Sequence, residues 1–245
     1  MTDLPLRDSV ALVTGASRGL GAATAIELAR LGAHVVIAAR DDAGLAATDD
    51  TIRAAGGDAT LLPADLTKGD VTDAIGPSLY ERFGRLDILV HAASALGALT
   101  PASHIMEEQW EPAFGINAMA TWRLIRTTEP MLRAAPHGRA VVLTHAVATT
   151  PRAYWGSFGA SMAARQNLVL SWAAEVKKTS LRVNLFDPVR AATALRAAAY
   201  PGEDPSGLPR PADIAPAIVA LCLPTEVRHG AIVVWQGAPG RSDGR

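Results

Sequence analysis

Short apolar runs alternate with longer helical stretches along nearly the whole chain. The apolar runs lie at 10–14, 34–39, 60–64, 86–91, 140–144, 181–186 and 231–235. The helical stretches include 19–31, 43–55, 68–83 and 158–177. Strands that are apolar on both faces and separated by helices indicate a parallel sheet covered on both sides. Because crossovers between parallel strands are right-handed, the pattern predicts one doubly wound α/β domain over residues 1–245.

Two regions depart from this alternation. Residues 190–211 follow a predicted strand, and their second half, 201–211, is rich in proline and glycine, so they predict an irregular loop beside the ligand crevice of the sheet. A long loop at that place often acts as a lid or specificity loop, and a plain connector is the alternative. The tail at 237–245 is polar and glycine-rich and is predicted to be flexible.

Composition narrows the classes of function. The chain has 245 residues, enough for one large core, and a net charge of −1, which leaves no electrostatic footprint for nucleic acid or an anionic membrane. Its single cysteine, Cys222, excludes an internal disulfide, suits a reducing compartment and lies in an apolar run typical of a buried side chain. With no apolar run of 18 residues, we expect a cytoplasmic protein without membrane or nucleic-acid partners.

A glycine-rich turn joins the first apolar run to the first helical stretch. Gly15, Gly19 and Gly21 permit a tight turn and a close approach of the backbone to a pyrophosphate. The helix that follows would offer its unpaired N–H groups and its dipole to the phosphates. Because the glycines stand between a strand and a helix, they predict a dinucleotide site more strongly than their spacing alone.

The spacing Thr14-Gly-x3-Gly-x-Gly resembles that of the short-chain dehydrogenase/reductase family. Asp65-Leu66, Asn117, Asn184 and Pro188 also stand where the family's motifs would place them. The resemblance implies a Rossmann-type sheet with strand order 3-2-1-4-5-6-7, an NAD(P)-dependent oxidoreductase, and a homodimer or homotetramer that buries the helix after residue 158. The cofactor-binding residues that it implies are Gly15, Ser17, Arg18, Gly19, Leu20, Gly21, Arg40, Asp65, Leu66, His91, Ala92 and Pro188.

The form of the cofactor follows from the charges near the adenosine ribose. Arg18 lies in the turn and Arg40 ends the second apolar run, and two guanidinium groups suit a 2′-phosphate. An NAD-selective site would place an acid at the strand end, whereas Asp41 and Asp42 come one and two positions later. We therefore predict NADP(H) rather than NAD(H). The alternative is that Arg40 is a solvated loop charge.

The reaction centre departs from the family pattern. The segment Phe158-Gly-Ala-Ser-Met162 aligns with the family's Tyr-x-Ala-Ser-Lys, in which the lysine lowers the pKa of the proton-donating tyrosine. Thirteen residues before Phe158, where the family has serine, stands His145, so only Asn117 keeps its family identity. Ser94 and Val189 also replace family glycines. We expect slow carbonyl reduction and weakened cofactor binding.

Three hypotheses remain open. The first is a protein that keeps the fold and the cofactor and acts by binding a small molecule or by pairing with an active relative. The second is an active reductase in which His145 or Tyr154 donates the proton, although these side chains and His91 could equally be structural. The third is a structural subunit without cofactor. The remaining histidines have no metal-ligand spacing, and we expect no metal.

Overall fold

The computed structural model describes residues 4–237 and contains one parallel sheet. Its strands are β1 Val10–Thr14, β2 His34–Ala39, β3 Asp58–Pro63, β4 Ile88–His91, β5 Arg139–Leu143, β6 Arg182–Asp187 and β7 Ile232–Val234. They lie in the order β3-β2-β1-β4-β5-β6-β7, and every neighbouring pair is parallel. The predicted fold class and strand order are confirmed.

Helices cover both faces of the sheet. They are α1 Gly19–Arg30, α2 Asp42–Ala54, α3 Gly69–Phe83, α4 Glu107–Phe114, α5 Ala120–Ala134, α6 Gly156–Val176, α7 Ala194–Ala199 and α8 Pro211–Ala220. Neighbouring residues of β1 point to opposite faces, and both faces are buried: Val13 packs in one apolar cluster and Leu12 in the other. None of the described helices is long and apolar enough to cross a membrane.

The carboxyl ends of the central strands meet at one edge of the sheet. Thr14 at the end of β1 is paired in register with His91 at the end of β4, and Val142 near the end of β5 is paired with His91 on its other side. Between α4 and α5, the segment Gly115–Met119 is a turn of π-helix. Such π turns free backbone carbonyls and are frequent at functional sites. This edge therefore holds the candidate site.

The structure differs from the sequence-based boundaries in a few places. The strand β3 begins at Asp58 rather than at residue 60, and α6 begins at Gly156 rather than at residue 158. The predicted irregular loop at 190–211 holds the short helix α7, because Thr193 caps it by accepting a hydrogen bond from the backbone N–H of Arg196 (3.2 Å). Of the predicted flexible tail, all but Gly237 lies outside the described residues.

Candidate functional site

A cavity of about 600 Å³ lies at the carboxyl edge of the sheet. One end is formed by the glycine turn and the ends of β2 and β3, and the other by the residues that follow β4, β5 and β6. We call these the phosphate end and the reaction end. Of the residues predicted to bind the cofactor, ten line the cavity: Gly15, Ser17, Arg18, Gly19, Leu20, Gly21, Arg40, Leu66, Ala92 and Pro188. Asp65 and His91 lie beside it.

The phosphate end is built from backbone that admits no side chain. Gly15 has a φ of +69°, and a Cβ there would lie 2.6 Å from the backbone nitrogen of Ala93. A Cβ on Gly21 would lie 2.2 Å from the carbonyl oxygen of Gly15. The helix α1 begins at this turn without any side-chain hydrogen bond to its first N–H groups. These groups and the helix dipole can bind a phosphate, so the geometry fits a dinucleotide.

Two arginines and two aspartates carry the charges at this end. Arg18 and Arg40 both line the cavity. Asp41 also lines it, but its carboxylate caps α2 by accepting a hydrogen bond from the backbone N–H of Gly44 (3.0 Å). Burial raises the pKa of Asp65, but hydrogen bonds from Thr67 and the charge of Arg40 outweigh this effect, and the pKa is lowered. Asp65 therefore stays ionised beside Arg40.

The reaction end is largely apolar. Phe158 and Met162 line the cavity one helical turn apart on α6, and each is only 2% exposed. They form a small buried cluster with Val147 and Trp155. Neither side chain carries a charge or a proton that it could donate, and both stabilise the cluster by apolar packing.

His145 lies in the cavity, whereas Tyr154 does not line it. The Nδ1 atom of His145 accepts a hydrogen bond from the backbone N–H of Val147 (3.0 Å), so the neutral ring carries its proton on Nε2. Burial lowers the pKa of His145, which makes the neutral form the resting state. Its ring stacks on Trp155 at 5.6 Å and meets the edge of Phe158 at 5.7 Å. Tyr154 is 60% exposed, so of the two proton donors considered from the sequence only His145 lines the cavity.

Asn117 lies fully buried in the π turn and connects three segments of the chain by hydrogen bonds. Its Nδ2 donates to the carbonyl oxygen of Ala95 (2.8 Å) and to Oγ of Ser161 (2.9 Å). Its Oδ1 accepts from Ser94 Oγ and from the backbone N–H of Ala95, both at 3.0 Å. Asn117 thus holds the segment after β4 against α6 and does not line the cavity itself.

A buried polar chain runs beneath the reaction end. The guanidinium of Arg165 can only donate, so Nη2 donates to Nε2 of His91 (3.1 Å) and the ring proton of His91 is on Nδ1. That Nδ1–H donates to Oγ1 of Thr14 (2.7 Å). Burial, and then the charge of Arg165, hold the pKa of His91 well below its ordinary value. His91 is therefore a neutral link between β1 and α6.

Val189 contributes backbone strain at the same end. It has a φ of +60°, is 46% exposed and lines the cavity. Its N–H donates to Oδ1 of Asp187 (2.8 Å), which fixes the turn after β6. A β-branched residue rarely adopts the left-handed region, and such outliers concentrate at functional sites.

The outer wall of the reaction end consists of aromatic and cationic side chains from the α7 region. The ring of Tyr200 packs on Trp155 at 5.7 Å, and the guanidinium carbon of Arg196 lies 3.7 Å from the centroid of the Tyr200 ring. Arg196 is in turn held by Glu203 (2.6 Å), and Arg152 donates to the hydroxyl of Tyr200. This wall gives the cavity an aromatic lining opposite Phe158.

Sequence reasoning missed several residues of this end, including Trp155, Tyr200, Arg196 and Arg165. The sequence predicted that the segment 190–211, which holds α7, lies beside the crevice, but no signal singled out Arg196 or Tyr200 within it. For Arg165 a signal existed, because it is the only charged residue among positions 156–174. Within residues 4–237, no group of three or more His, Cys, Asp or Glu side chains could hold a metal ion. Cys222 is free and buried, and burial raises the pKa of its thiol to about 12.

Known proteins share this architecture and sequence pattern. The family model described as short chain dehydrogenase matches residues 9–204. The uncharacterized oxidoreductase YciK of Escherichia coli strain K12 is 31% identical over 242 residues, covering 98% of this chain and 95% of its own length. A short chain dehydrogenase structure from Pseudomonas syringae has a TM-score of 0.91 at 33% identity, with 95% of this chain and 96% of that chain covered.

Some of the similar structures were determined with cofactor. A short chain dehydrogenase from Escherichia coli CFT073, complexed with NADPH, has a TM-score of 0.88 at 31% identity and covers 96% of this chain and 99% of its own. The parallel sheet with a glycine turn at its carboxyl edge defines a doubly wound α/β protein of the dinucleotide-binding type. More narrowly, the chain belongs to the short-chain dehydrogenase/reductase family.

Proposed function

We propose that this protein binds NADP(H) in the cavity and reduces ordinary carbonyl compounds slowly or not at all. In this proposal it acts by binding a small molecule or as a partner subunit of an active relative. The observation that carries the proposal is the replacement of the family's proton donor and cation by Phe158 and Met162, both buried in an apolar cluster. Loss of general acid catalysis alone removes about 10²- to 10⁴-fold in rate.

The phosphate end supports the cofactor part of the proposal. The turn at Gly15 and the N-terminus of α1 would hold the pyrophosphate, and Arg18 and Arg40 would hold the 2′-phosphate of the adenosine ribose. The family's adenine contact falls on Asp65 and Leu66. When bound, NADPH would supply a hydride at the reaction end. We expect its affinity to be weakened, because no lysine at position 162 anchors the nicotinamide ribose.

The test is a fluorescence titration with NADPH and NADH, followed by NADPH-consumption assays on a panel of aldehydes and ketones. We expect saturable binding with NADPH preferred, and consumption close to that of a Gly15→Ala control that cannot form the phosphate turn. Rapid NADPH consumption that is lost in Gly15→Ala would contradict the proposal that the protein reduces carbonyl compounds slowly or not at all. Absence of binding at millimolar NADPH would contradict the proposal that the protein binds NADP(H) and would favour a structural subunit without cofactor.

A second candidate is an active reductase in which His145 assists the reaction. Its position in the cavity, with a neutral ring that carries a proton on Nε2, is the observation that favours it. A neutral imidazole can polarise a carbonyl by donating a hydrogen bond, whereas proton donation needs the imidazolium form. Because burial lowers the pKa of His145, a reaction rate that depends on its imidazolium form would rise only at pH values below about 6.5, the ordinary pKa of histidine. Unchanged turnover in His145→Ala would remove this candidate.

The assembly and location of the protein are also proposals. We expect a homodimer or homotetramer in the cytoplasm. Light scattering after gel filtration would measure the oligomeric state. Large apolar side chains are exposed on and near α4 and α5, among them Trp110, Met119 and Trp122. Exposed patches of this kind are typical of protein interfaces.

A further inference from the structure

Arg165 is the most completely buried charged side chain of the reaction end. It lies on α6 with no exposed surface, yet it is among the residues that line the cavity, and we call the part of the cavity wall that it borders the cavity floor. Its Nε donates to the carbonyl oxygen of Asn117 (2.9 Å), and Nη1 donates to that of Leu143 (3.1 Å). Its Nη2 lies near the carbonyl oxygens of Ala93 (2.8 Å) and Ile116 (3.3 Å), besides His91.

These acceptors satisfy the hydrogen bonds of Arg165 and leave its charge without a counterion. Within residues 4–237, Arg165 forms no ion pair with an aspartate or a glutamate. Burial lowers the pKa of Arg165 to about 9, so it stays charged at neutral pH. Burying an unpaired charge is costly, and a neutral side chain could serve the same carbonyls at lower cost. The charge therefore requires a reason.

The position of Arg165 supplies that reason. It follows Met162 by three residues and Phe158 by seven, a spacing that places all three on one face of α6. Its acceptors end β4 and β5 and belong to the π turn, which together frame the reaction end. A dinucleotide with its 2′-phosphate at Arg40 and its pyrophosphate at α1 would extend its nicotinamide ribose over this floor.

We propose that Arg165 replaces the cation missing at position 162, as a positioning residue that keeps positive charge beneath the nicotinamide half of the cofactor. It acts through the electrostatic field that it creates at the floor, and the carbonyl oxygens that accept its hydrogen bonds hold it in place. This inference rests on the proposed function, because it requires NADP(H) in the cavity. It identifies Arg165 as the residue that supplies positive charge near the nicotinamide half of the cofactor when the lysine is absent.

The experiment is a double-mutant cycle read out by the Kd of NADPH from fluorescence. We expect R165M to raise Kd about tenfold, because a charge under the bound ribose is lost. In the presence of Arg165, M162K adds a second cation three residues away. Repulsion between the two cations should lower the unfolding midpoint and offset the gained contact with the ribose, so Kd should change by less than about threefold. In the double variant R165M/M162K, the new ammonium replaces the lost charge, and Kd should return to within about threefold of the unsubstituted protein. Additive losses would overturn the inference.

A cofactor fragment separates local electrostatics from general damage. Adenosine 2′,5′-bisphosphate contains only the adenosine half, which would contact the phosphate end. We expect R165M to leave the affinity for this fragment unchanged, while the affinity for NADPH falls. Equal weakening of both ligands would mean that Arg165 is merely structural, and would overturn the proposal.

Arg139 provides a matched control. It is also buried and also donates to backbone carbonyls, those of Leu223, Pro224 and Glu226, but it lies at the amino-terminal end of β5, opposite the cavity. R139M should lower the unfolding midpoint and leave Kd for NADPH unchanged. If R139M weakened NADPH binding as much as R165M, the effect would be general, and the inference would fail.

Two further outcomes keep the two proposals apart. If the unsubstituted protein does not bind NADPH, the proposed function fails first. If it binds NADPH and folded R165M binds equally well, only the inference about Arg165 fails. Where R165M does not fold, R165K takes its place: its ammonium keeps the charge but cannot reach all the carbonyls, so Kd must stay within about threefold. A larger loss in folded R165K overturns the inference.

Discussion

The two ends of the cavity differ in whether main chain or side chains form them. The phosphate end consists of backbone: glycines at which a Cβ would collide with neighbouring main chain, and the first N–H groups of a helix. The reaction end consists of side chains, and at positions 158 and 162 these are the buried apolar groups of Phe158 and Met162. Backbone geometry cannot change without disturbing the fold, whereas side-chain chemistry can be lost while the packing is kept. A protein can therefore keep the cofactor site and lose the reaction.

The largest effect expected at the phosphate end comes from Gly15→Ala. The substitution forces an L side chain into a φ of +69° and a Cβ to within 2.6 Å of the Ala93 nitrogen, so the turn must move. We expect a loss of NADPH affinity of at least about 100-fold, since displaced N–H groups no longer meet the pyrophosphate. Fluorescence titration measures it.

Gly56→Ala is the control for that substitution. Gly56 has a φ of +80°, but a Cβ there would meet nothing within 4 Å, and the residue is outside the cavity. It should cost stability through backbone strain and leave NADPH binding unchanged. If Gly15→Ala bound NADPH as well as Gly56→Ala does, the turn would not be the phosphate site.

A smaller effect is expected from Arg40→Ala, which tests whether the phosphate end binds the 2′-phosphate of the cofactor. Arg40 lines the cavity, is exposed and lies close enough to Asp65 to lower its pKa. Removing it should raise Kd for NADPH about tenfold and leave Kd for NADH nearly unchanged, because only NADPH carries the 2′-phosphate. Parallel titrations measure the ratio. Equal weakening of both cofactors would contradict the assignment.

The sequence predicted the phosphate end better than the reaction end for the same physical reason. Glycine spacing between a strand and a helix states a backbone shape, so Gly15 and Gly21 could be placed from their neighbours along the chain. The four-residue spacing of Phe158 and Met162 indicated that they share one face of a helix, and both line the cavity from α6. By contrast, the sequence placed the segment 190–211 beside the crevice without identifying Tyr200 or Arg196, because the fold of the α7 region decides which of its side chains reach the cavity. Tyr154, close to Phe158 in sequence, lies exposed instead.

Acid should destabilise the reaction end specifically. The pKa values of His91 and His145 are lowered by burial, so the unfolded chain takes up protons first as the pH falls below about 6.5. Stability is therefore full above about pH 6.5 and falls as the pH drops toward the folded-state pKa values. For His91 the loss approaches about 1.4 kcal/mol per pH unit. Urea unfolding between pH 5 and 8 measures it.

His91→Asn is the informative variant for this pH dependence, with His104→Gln as its control. Replacing His91 should lower stability at all pH values, because Arg165 loses an acceptor, and should flatten the slope below pH 6.5. Replacing exposed His104 should leave the slope as it is. An unchanged slope in His91→Asn would mean that His91 is not the buried neutral group described here.

The smallest effect is expected from Val189→Gly, which tests whether the reaction end still carries strain. A β-branched residue at a φ of +60° costs about 1–2 kcal/mol, and glycine recovers this at an entropic cost of about 0.5–1 kcal/mol. We expect the free energy of unfolding to rise by about 0.5–1 kcal/mol in urea. Val227→Gly, at an exposed position outside the left-handed region, should lower it instead. Because Val189 lines the cavity, tighter NADPH binding in Val189→Gly would show that its side chain also crowds the cofactor, whereas unchanged binding would confine its effect to the backbone.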